Sequence, residues 1–164
     1  AEVGSLGADC PFFIYNTPCY ASGIGDMLRP IELDMSGLRI LMIKPHDGVS
    51  TKEAYGGIIR HPEVANAIIE KVQSISNLKE LLTSYPSIFI NDFEQTVFPL
   101  HPSIAAIKKR LQDANALYAC MSGSGSTIFG LFDDDSEGRT DSLLRVLEQE
   151  FASMVLLNDT LGKR

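Results

Sequence analysis

Asp9 is the first residue of this sequence whose type and setting could support chemistry. It lies in the stretch LGADCPFF, where a glycine precedes it, Pro11 restricts the chain after it, and aromatic residues follow. A carboxylate held firmly in such a turn could orient a hydroxyl group and accept its proton. Taken alone, an aspartate in this position is also typical of a residue that only closes a turn or caps a helix.

A second candidate is the run SGSGS, whose glycines would let the backbone approach phosphate oxygens closely. Its amides and hydroxyls could bind an anion through five residues: Ser122, Gly123, Ser124, Gly125 and Ser126. The run lacks the GxxxxGK spacing of a P-loop and joins two predicted strands, so a flexible hairpin connection is the alternative. No helix follows it to form a nucleophile elbow, which excludes a serine hydrolase.

The histidines and cysteines do not have the spacing of metal ligands. Each of the three histidines lies beside a proline, with no HxxxH pair: His46, His61 and His101. The three cysteines are widely spaced and form no CxxC pair: Cys10, Cys19 and Cys120. This pattern is typical of reduced thiols, and the sequence predicts neither a metal site nor a disulfide framework.

Composition and charge limit the classes of partner that this protein could bind. The 164 residues are 45% hydrophobic and 21% charged, which is ordinary for a globular protein. Fourteen Lys and Arg against 21 Asp and Glu give a formal charge of −7 without a basic patch, which argues against nucleic acid. The apolar runs are too short for a membrane span, and the first residues do not resemble a signal peptide, so we expect a cytoplasmic protein.

The first third of the chain predicts strands. Residues 12–15 and 19–22 are short apolar or aromatic runs separated by the turn-like NTP and followed by a glycine pair, which predicts a β-hairpin. Residues 38–43 (LRILMI) form an almost unbroken apolar run, as expected of a central strand covered on both faces.

The middle of the chain predicts helices. Ser50 and Glu53 have the spacing of a capping box, which predicts a short helix over residues 51–59. Apolar residues recur every three or four positions over residues 62–82, which indicates one or two amphipathic helices. Residues 89–98 fit either a helix or a strand, and we favour the helix.

The last third predicts α, β, β, α and β in that order. The predicted elements are a helix opened by Pro102 and ended by Asn115, strands at 117–121 and 127–132, a helix around 143–151 and a strand at 154–157. Together with the strand at 38–43, this order predicts an α+β, ferredoxin-like split βαβ fold, with an antiparallel sheet and helices on one face.

Several of these stretches resemble motifs of the 4-diphosphocytidyl-2-C-methyl-D-erythritol kinase family, within the GHMP small-molecule kinase superfamily. The matching stretches run through most of the chain: LGADCPFF, CYASGIGDML, KPHDGVSTKEAY, NDFE and MSGSGSTIFGLF. The family's N-terminal loop of the form PxxxGLGGGSS and its early lysine have no counterpart here. We therefore interpret the sequence as a C-terminal fragment.

The resemblance implies a reaction and a site. ATP, with Mg²⁺, would phosphorylate the 2-hydroxyl of a small cytidine diphosphate substrate, with Asp9 as the catalytic general base. Thr51 and Tyr55 would bind the substrate, the Tyr55 ring stacking on cytosine, and residues 122–126 would shape the phosphate end of the site. From the residues alone, Tyr55 could equally be a core aromatic residue on a helix.

The resemblance also implies a domain division. Residues 1–30 would be a remnant of the N-terminal kinase domain, and residues 31–164 the GHMP kinase C-terminal domain. Without the main ATP-binding loop this chain is expected to be inactive alone, and its uncovered aromatic hairpin predicts a homodimer. The alternatives are another GHMP kinase, of the homoserine or mevalonate type, and a stand-alone ferredoxin-like module that binds a metabolite.

Overall fold

The computed structural model describes residues 10–59, 62–134, 137–151 and 154–161. Its helices and strands follow the chain in this order: α1 (Cys10–Tyr15), β1 (Cys19–Ser22), β2 (Met27–Pro30), β3 (Leu38–Lys44), α2 (Thr51–Gly56), α3 (Pro62–Ser74), α4 (Leu78–Ser84), α5 (Glu94–Leu100), α6 (Pro102–Asp113), β4 (Tyr118–Met121), β5 (Ile128–Asp133), α7 (Glu137–Phe151) and β6 (Met154–Thr160). Across these ranges, no helix combines the length and apolarity needed to cross a bilayer.

Four strands form one antiparallel sheet in the order β4-β5-β3-β6. The central strand β3 pairs with β5, from Leu38 opposite Asp133 to Ile43 opposite Ile128, and with β6 on its other side. The first of these four strands in the chain thus lies between the third and the fourth, which is the split βαβ arrangement. The predicted α+β, ferredoxin-like fold is confirmed.

Alternate residues of β3 pack into two separate apolar clusters. Leu41 lies in one cluster with Ile104 of α6 and Leu147 of α7. Leu38 lies in the other, where Leu81 of α4 and residues of α3 cover it. The prediction of helices on one face is therefore correct for α6 and α7 but incomplete, because α3 and α4 carry their own apolar side and cover the opposite face.

The predicted hairpin between residues 12–15 and 19–22 is wrong in its first strand. Residues 12–15 belong to helix α1. Pro11 lies in the first turn of that helix, where a backbone N–H has no partner within the helix, so that the absence of an N–H in proline costs no hydrogen bond. β1 pairs instead with β2 across a turn at residues 23–26. The glycine pair that we expected after the hairpin therefore lies within the turn that forms it.

The helical middle of the chain is close to the prediction. The helix predicted over residues 51–59 ends at Gly56. Residues 62–82 form two helices, and the second begins where the Asn77 side chain accepts a hydrogen bond from the Glu80 amide at 3.0 Å. The helix predicted over residues 89–98 is only partly correct, because α5 begins at Glu94.

Candidate functional site

The run at residues 122–126, which we call the glycine loop, connects β4 to β5 as predicted. Two backbone hydrogen bonds fold it: the Ser122 amide donates to the Thr127 carbonyl at 2.8 Å, and the Gly125 amide donates to the Ser122 carbonyl at 3.0 Å. Gly123 and Gly125 have φ values of +55° and +92°. Both values are in the region that favours glycine, which explains the glycines at these two positions.

Gly125 brings the glycine loop close to the start of α2. A Cβ atom added at Gly125 would lie 2.7 Å from Met121 Sδ and 3.4 Å from Val49 Cγ2. Val49 precedes Thr51, the first residue of α2, by two positions. The structure therefore places the predicted phosphate loop beside the segment that carries the two predicted substrate-binding residues.

Tyr55 lies on the outer side of α2. Its neighbour Ala54 is fully buried against the core, so Tyr55 points away from that core and keeps 56% of its surface exposed. Its ring meets the Phe93 ring edge to face, with centroids 4.8 Å apart and planes at 78°. The alternative of a core aromatic residue is therefore wrong, since more than half of the Tyr55 surface is exposed.

Thr51 is exposed at the first position of α2. The capping box predicted before it is not formed, because the Ser50 side chain makes no capping hydrogen bond. Glu53, the other member of that box, lies with its Oε2 atom 3.4 Å from His101 Nε2. The carboxylate is thus directed to the start of α6 and not back to the start of α2.

Residues 91–94, which we call the brace, link the glycine loop to Tyr55. The Asn91 side-chain amide donates to the Met121 carbonyl at 2.7 Å and to the Gly123 carbonyl at 2.8 Å. Its Oδ1 atom accepts from the Phe93 amide at 3.0 Å, and Phe93 carries the ring that contacts Tyr55. One asparagine therefore touches both sides of the candidate site.

Glu94 attaches the other end of the brace to the sheet. Its Oε1 atom accepts from the Met121 amide at 2.8 Å, and its Oε2 atom accepts from Lys108 Nζ at 2.5 Å. The two charged side chains are 14% and 21% exposed, so this is a largely desolvated ion pair. Such a pair fixes geometry because separating the two groups would leave a charge that is neither paired nor fully hydrated.

Two ionisable groups on β4 stay protonated near neutral pH. Burial raises the pKa of the Cys120 thiol to about 11. Burial also raises the pKa of the Tyr118 hydroxyl well above its usual range. The hydroxyl donates to the Phe89 carbonyl at 3.3 Å and so helps to hold the chain that leads into the brace. Neither group is therefore suited to proton transfer at neutral pH.

The predicted catalytic residue, Asp9, lies outside the described residues. Of the other predicted residues, the structure brings Tyr55, Thr51 and the glycine loop into one region through Val49 and Phe93. Within the described ranges, no group of three His, Cys, Asp or Glu side chains could hold a metal ion.

The sequence interpretation missed the brace residues Asn91, Phe93 and Glu94. It recorded NDFE only as a matching stretch and gave its members no role. A signal was available, because an asparagine and a glutamate in a partly apolar segment need partners when they are buried. The identity of those partners, Met121 and Gly123, could not be read from local spacing.

Comparisons with known proteins agree with this architecture. The family model described as GHMP kinases C terminal matches residues 61–151, which is more than half of the chain. The chain is 45% identical over 131 residues to the 4-diphosphocytidyl-2-C-methyl-D-erythritol kinase of Bacteroides thetaiotaomicron, covering 80% of this chain and 45% of that protein. It is 39% identical over 147 residues to the kinase of the same name from Parabacteroides distasonis, covering 87% of this chain and 50% of that one. The chain thus spans about half the length of these relatives.

Solved structures are similar in fold. A crystal structure of 4-(cytidine 5'-diphospho)-2C-methyl-D-erythritol kinase superposes with a TM-score of 0.65 at 24% identity, covering 92% of this chain and 53% of that one. A homoserine kinase from Cytophaga hutchinsonii superposes with a TM-score of 0.61 at 20% identity, covering 82% of this chain and 46% of that one. At these identities the structural likeness concerns the fold alone and does not separate one substrate from another.

Proposed function

The chain belongs to the GHMP kinase family, and we propose that it carries the C-terminal domain of a kinase that transfers the γ-phosphate of ATP to the 2-hydroxyl of 4-diphosphocytidyl-2-C-methyl-D-erythritol. The observation that carries this proposal is the exposed Tyr55 ring, joined through one short brace to a glycine loop suited to phosphate. A kinase that acts on a cytidine compound requires a ring that stacks on the base and, beside it, a loop that binds the phosphates of ATP.

The roles of the residues follow from the needs of phosphoryl transfer, which depends mainly on alignment and charge neutralisation. We assign Asp9 the role of general base, which orients the substrate hydroxyl and accepts its proton. Thr51 and Tyr55 bind the substrate, with the ring stacked on cytosine. The glycine loop offers backbone amides to the phosphates of ATP, which supplies the transferred group.

Mg²⁺ is part of the proposal as a companion of ATP. Mg²⁺ in kinases is held by one or two carboxylates together with substrate phosphates, so it needs no dedicated protein cage. Among the described residues, no group of three His, Cys, Asp or Glu side chains could hold a metal ion.

The test compares the complete protein with this chain. We expect the complete protein to form ADP in the presence of ATP and 4-diphosphocytidyl-2-C-methyl-D-erythritol, and this chain alone to form none. Parallel assays with homoserine and mevalonate separate the substrate classes: turnover of either one, without turnover of the cytidine compound, would replace this proposal with another GHMP kinase. Robust turnover by this chain alone would disprove the inactive-fragment prediction.

The domain division is proposed with a boundary near residue 30. β1 and β2 form their own two-stranded sheet and do not join the four-stranded one, which supports assigning residues 1–30 to the N-terminal kinase domain and 31–164 to the C-terminal domain. The surface of α1 and this hairpin is apolar and exposed, with Phe13 at 76% and Ile24 at 82%. Homodimerisation of the chain through this surface stays a prediction, and a monomeric mass in light scattering would contradict it.

We also propose a cytoplasmic location, where ATP is available to the kinase. Fractionation of cells that produce the complete protein tests this, and recovery in the membrane fraction would contradict it.

A further inference from the structure

We propose that Asn91 is a positioning residue that sets the distance between the phosphate end and the base end of the site. This inference rests on the proposed function. It goes further because it assigns the alignment of the two ends to one side chain that touches neither substrate.

The first observation is that Asn91 uses its whole amide group. Its two N–H donors go to the Met121 carbonyl at 2.7 Å and the Gly123 carbonyl at 2.8 Å, and its oxygen accepts from the Phe93 amide at 3.0 Å. Aspartate has the same shape but no donor when ionised, and serine has only one donor. Asparagine is therefore the residue whose side chain can make all three bonds at this position.

The second observation is that no atom packs beside the Cβ position of Gly123. A Cβ atom added there would meet no atom within 4 Å, whereas one added at Gly125 would lie 2.7 Å from Met121 Sδ. One half of the glycine loop is thus fixed by packing. The hydrogen bond from Asn91 is what fixes the other half, because it anchors the Gly123 carbonyl from outside the loop.

The third observation is that the opposite end of the same residue controls the substrate side. The bond from the Phe93 amide to Asn91 Oδ1 shapes the turn that presents the Phe93 ring. The centroid of the Phe93 ring lies 4.8 Å from that of the Tyr55 ring, and more than half of the Tyr55 surface remains exposed. The orientation of the stacking ring therefore depends on the brace.

These observations predict that substitutions at the phosphate end and at the base end of the site change different kinetic constants of the complete protein. Asn91→Asp removes the donors to the glycine loop but keeps an acceptor for the Phe93 amide. We expect kcat/KM for ATP to fall about ten- to hundredfold, since a small misplacement of reacting groups costs this much, while KM for the cytidine substrate stays within about twofold. Phe93→Leu is the reciprocal change: KM for the cytidine substrate rises about tenfold, while KM for ATP stays within about twofold.

Asn77→Asp is the matched control. Asn77 also accepts from a backbone amide, that of Glu80, and donates to a side chain, that of Asp34, but it lies at the start of α4. The control makes the same chemical change and lowers stability without touching the brace. We expect its kinetic constants to equal those of the unmodified protein, measured below the unfolding temperature of each variant.

A second measurement does not depend on turnover. In the Asn91→Asp variant the amides of residues 123–125 should exchange hydrogen about tenfold faster than in the Asn77→Asp variant, because the loop has lost its outer anchor. Equal exchange in the two variants would overturn the positioning role. A kcat/KM for ATP that falls only in proportion to the loss of stability would overturn it as well. If the unmodified complete protein turned over no cytidine substrate, the proposed function would fail, and the exchange result would still decide the role of Asn91.

Discussion

Gly125 offers the sharpest structural test, because its neighbour in the loop provides a control of the same type. At Gly125 the φ angle is +92°, and a new Cβ would lie 2.7 Å from Met121 Sδ. At Gly123 the φ angle is +55°, and a new Cβ would meet nothing within 4 Å. Replacing each glycine by alanine therefore separates the cost of conformation from the cost of packing.

The expected magnitudes follow from these contacts. An alanine with φ near +55° is in the left-handed region and costs about 1 to 2 kcal/mol. An alanine with φ near +92° is outside that well, at about 1 to 3 kcal/mol, and overpacking against the buried Met121 side chain adds about 1 to 3 kcal/mol. The loss of unfolded-chain entropy is the same for both and cancels. With similar conformational costs at the two positions, Gly125→Ala should lower the free energy of unfolding by about 1 to 3 kcal/mol more than Gly123→Ala, which is the packing cost.

Urea unfolding followed by far-ultraviolet circular dichroism measures this difference, since the chain has no tryptophan to report by fluorescence. Both variants should keep the slope of the transition and lower its midpoint, Gly125→Ala by more. Equal midpoints for the two variants would refute the packing of Gly125 against Met121 and Val49, and with it the placement of the glycine loop beside α2.

Three further predictions concern the surroundings of the loop. Tyr55→Ala should weaken binding of the cytidine substrate about five- to hundredfold while Tyr55→Phe retains it, measured by calorimetry on the complete protein; equal binding by both variants would exclude stacking. Lys108→Met leaves the Glu94 carboxylate, which is 14% exposed, without its cation, and should lower the free energy of unfolding by about 1 to 3 kcal/mol; a loss below about 0.5 kcal/mol would mean that the pair is solvated. Because burial raises the pKa of Cys120 from 9.0 to about 11, the folded state keeps a proton that the unfolded state loses, so the free energy of unfolding should fall from pH 9 to pH 11. A Cys120→Ala variant should show a smaller fall over that interval, and an identical one would contradict the assignment.

The sequence predicts the sheet well because burial leaves a clear pattern there. The run at residues 38–43 is β3 almost to the residue, since a strand covered on both faces is apolar at nearly every position, here at all but Arg39. The end of α6 was equally clear, because Asn115 adopts a φ of 62°, a conformation that asparagine tolerates better than most residues. In both cases a local rule and the tertiary structure demand the same residue.

The hairpin failed for the opposite reason. Aromatic and β-branched residues at 12–15 favour a strand locally, but strand pairing depends on a partner elsewhere in the chain. β1 found that partner on its C-terminal side, in β2, across the turn at residues 23–26. Local propensity could not choose between the two partners.

The candidate site also combines features that the sequence predicts with features that it does not. The glycine loop and Tyr55 could be proposed from their residue types, and the structure brings them into one region. The brace could not, because its bonds join residues far apart in sequence: Asn91 and Gly123 are 32 positions apart, and Glu94 and Met121 are 27 apart.

The position of β4 explains why the brace combines a structural and a functional task. β4 is an edge strand of the sheet, and an edge strand needs its outward backbone groups covered. Here two side chains do so at Met121, with Asn91 bound to the carbonyl and Glu94 to the amide. Unlike another strand, a side chain can also bind residues beyond the end of β4, and the Asn91 side chain does so by donating to the Gly123 carbonyl. Substitutions at Asn91 and Glu94 should therefore change stability and alignment together, whereas substitutions at Tyr55 should change binding with little effect on stability.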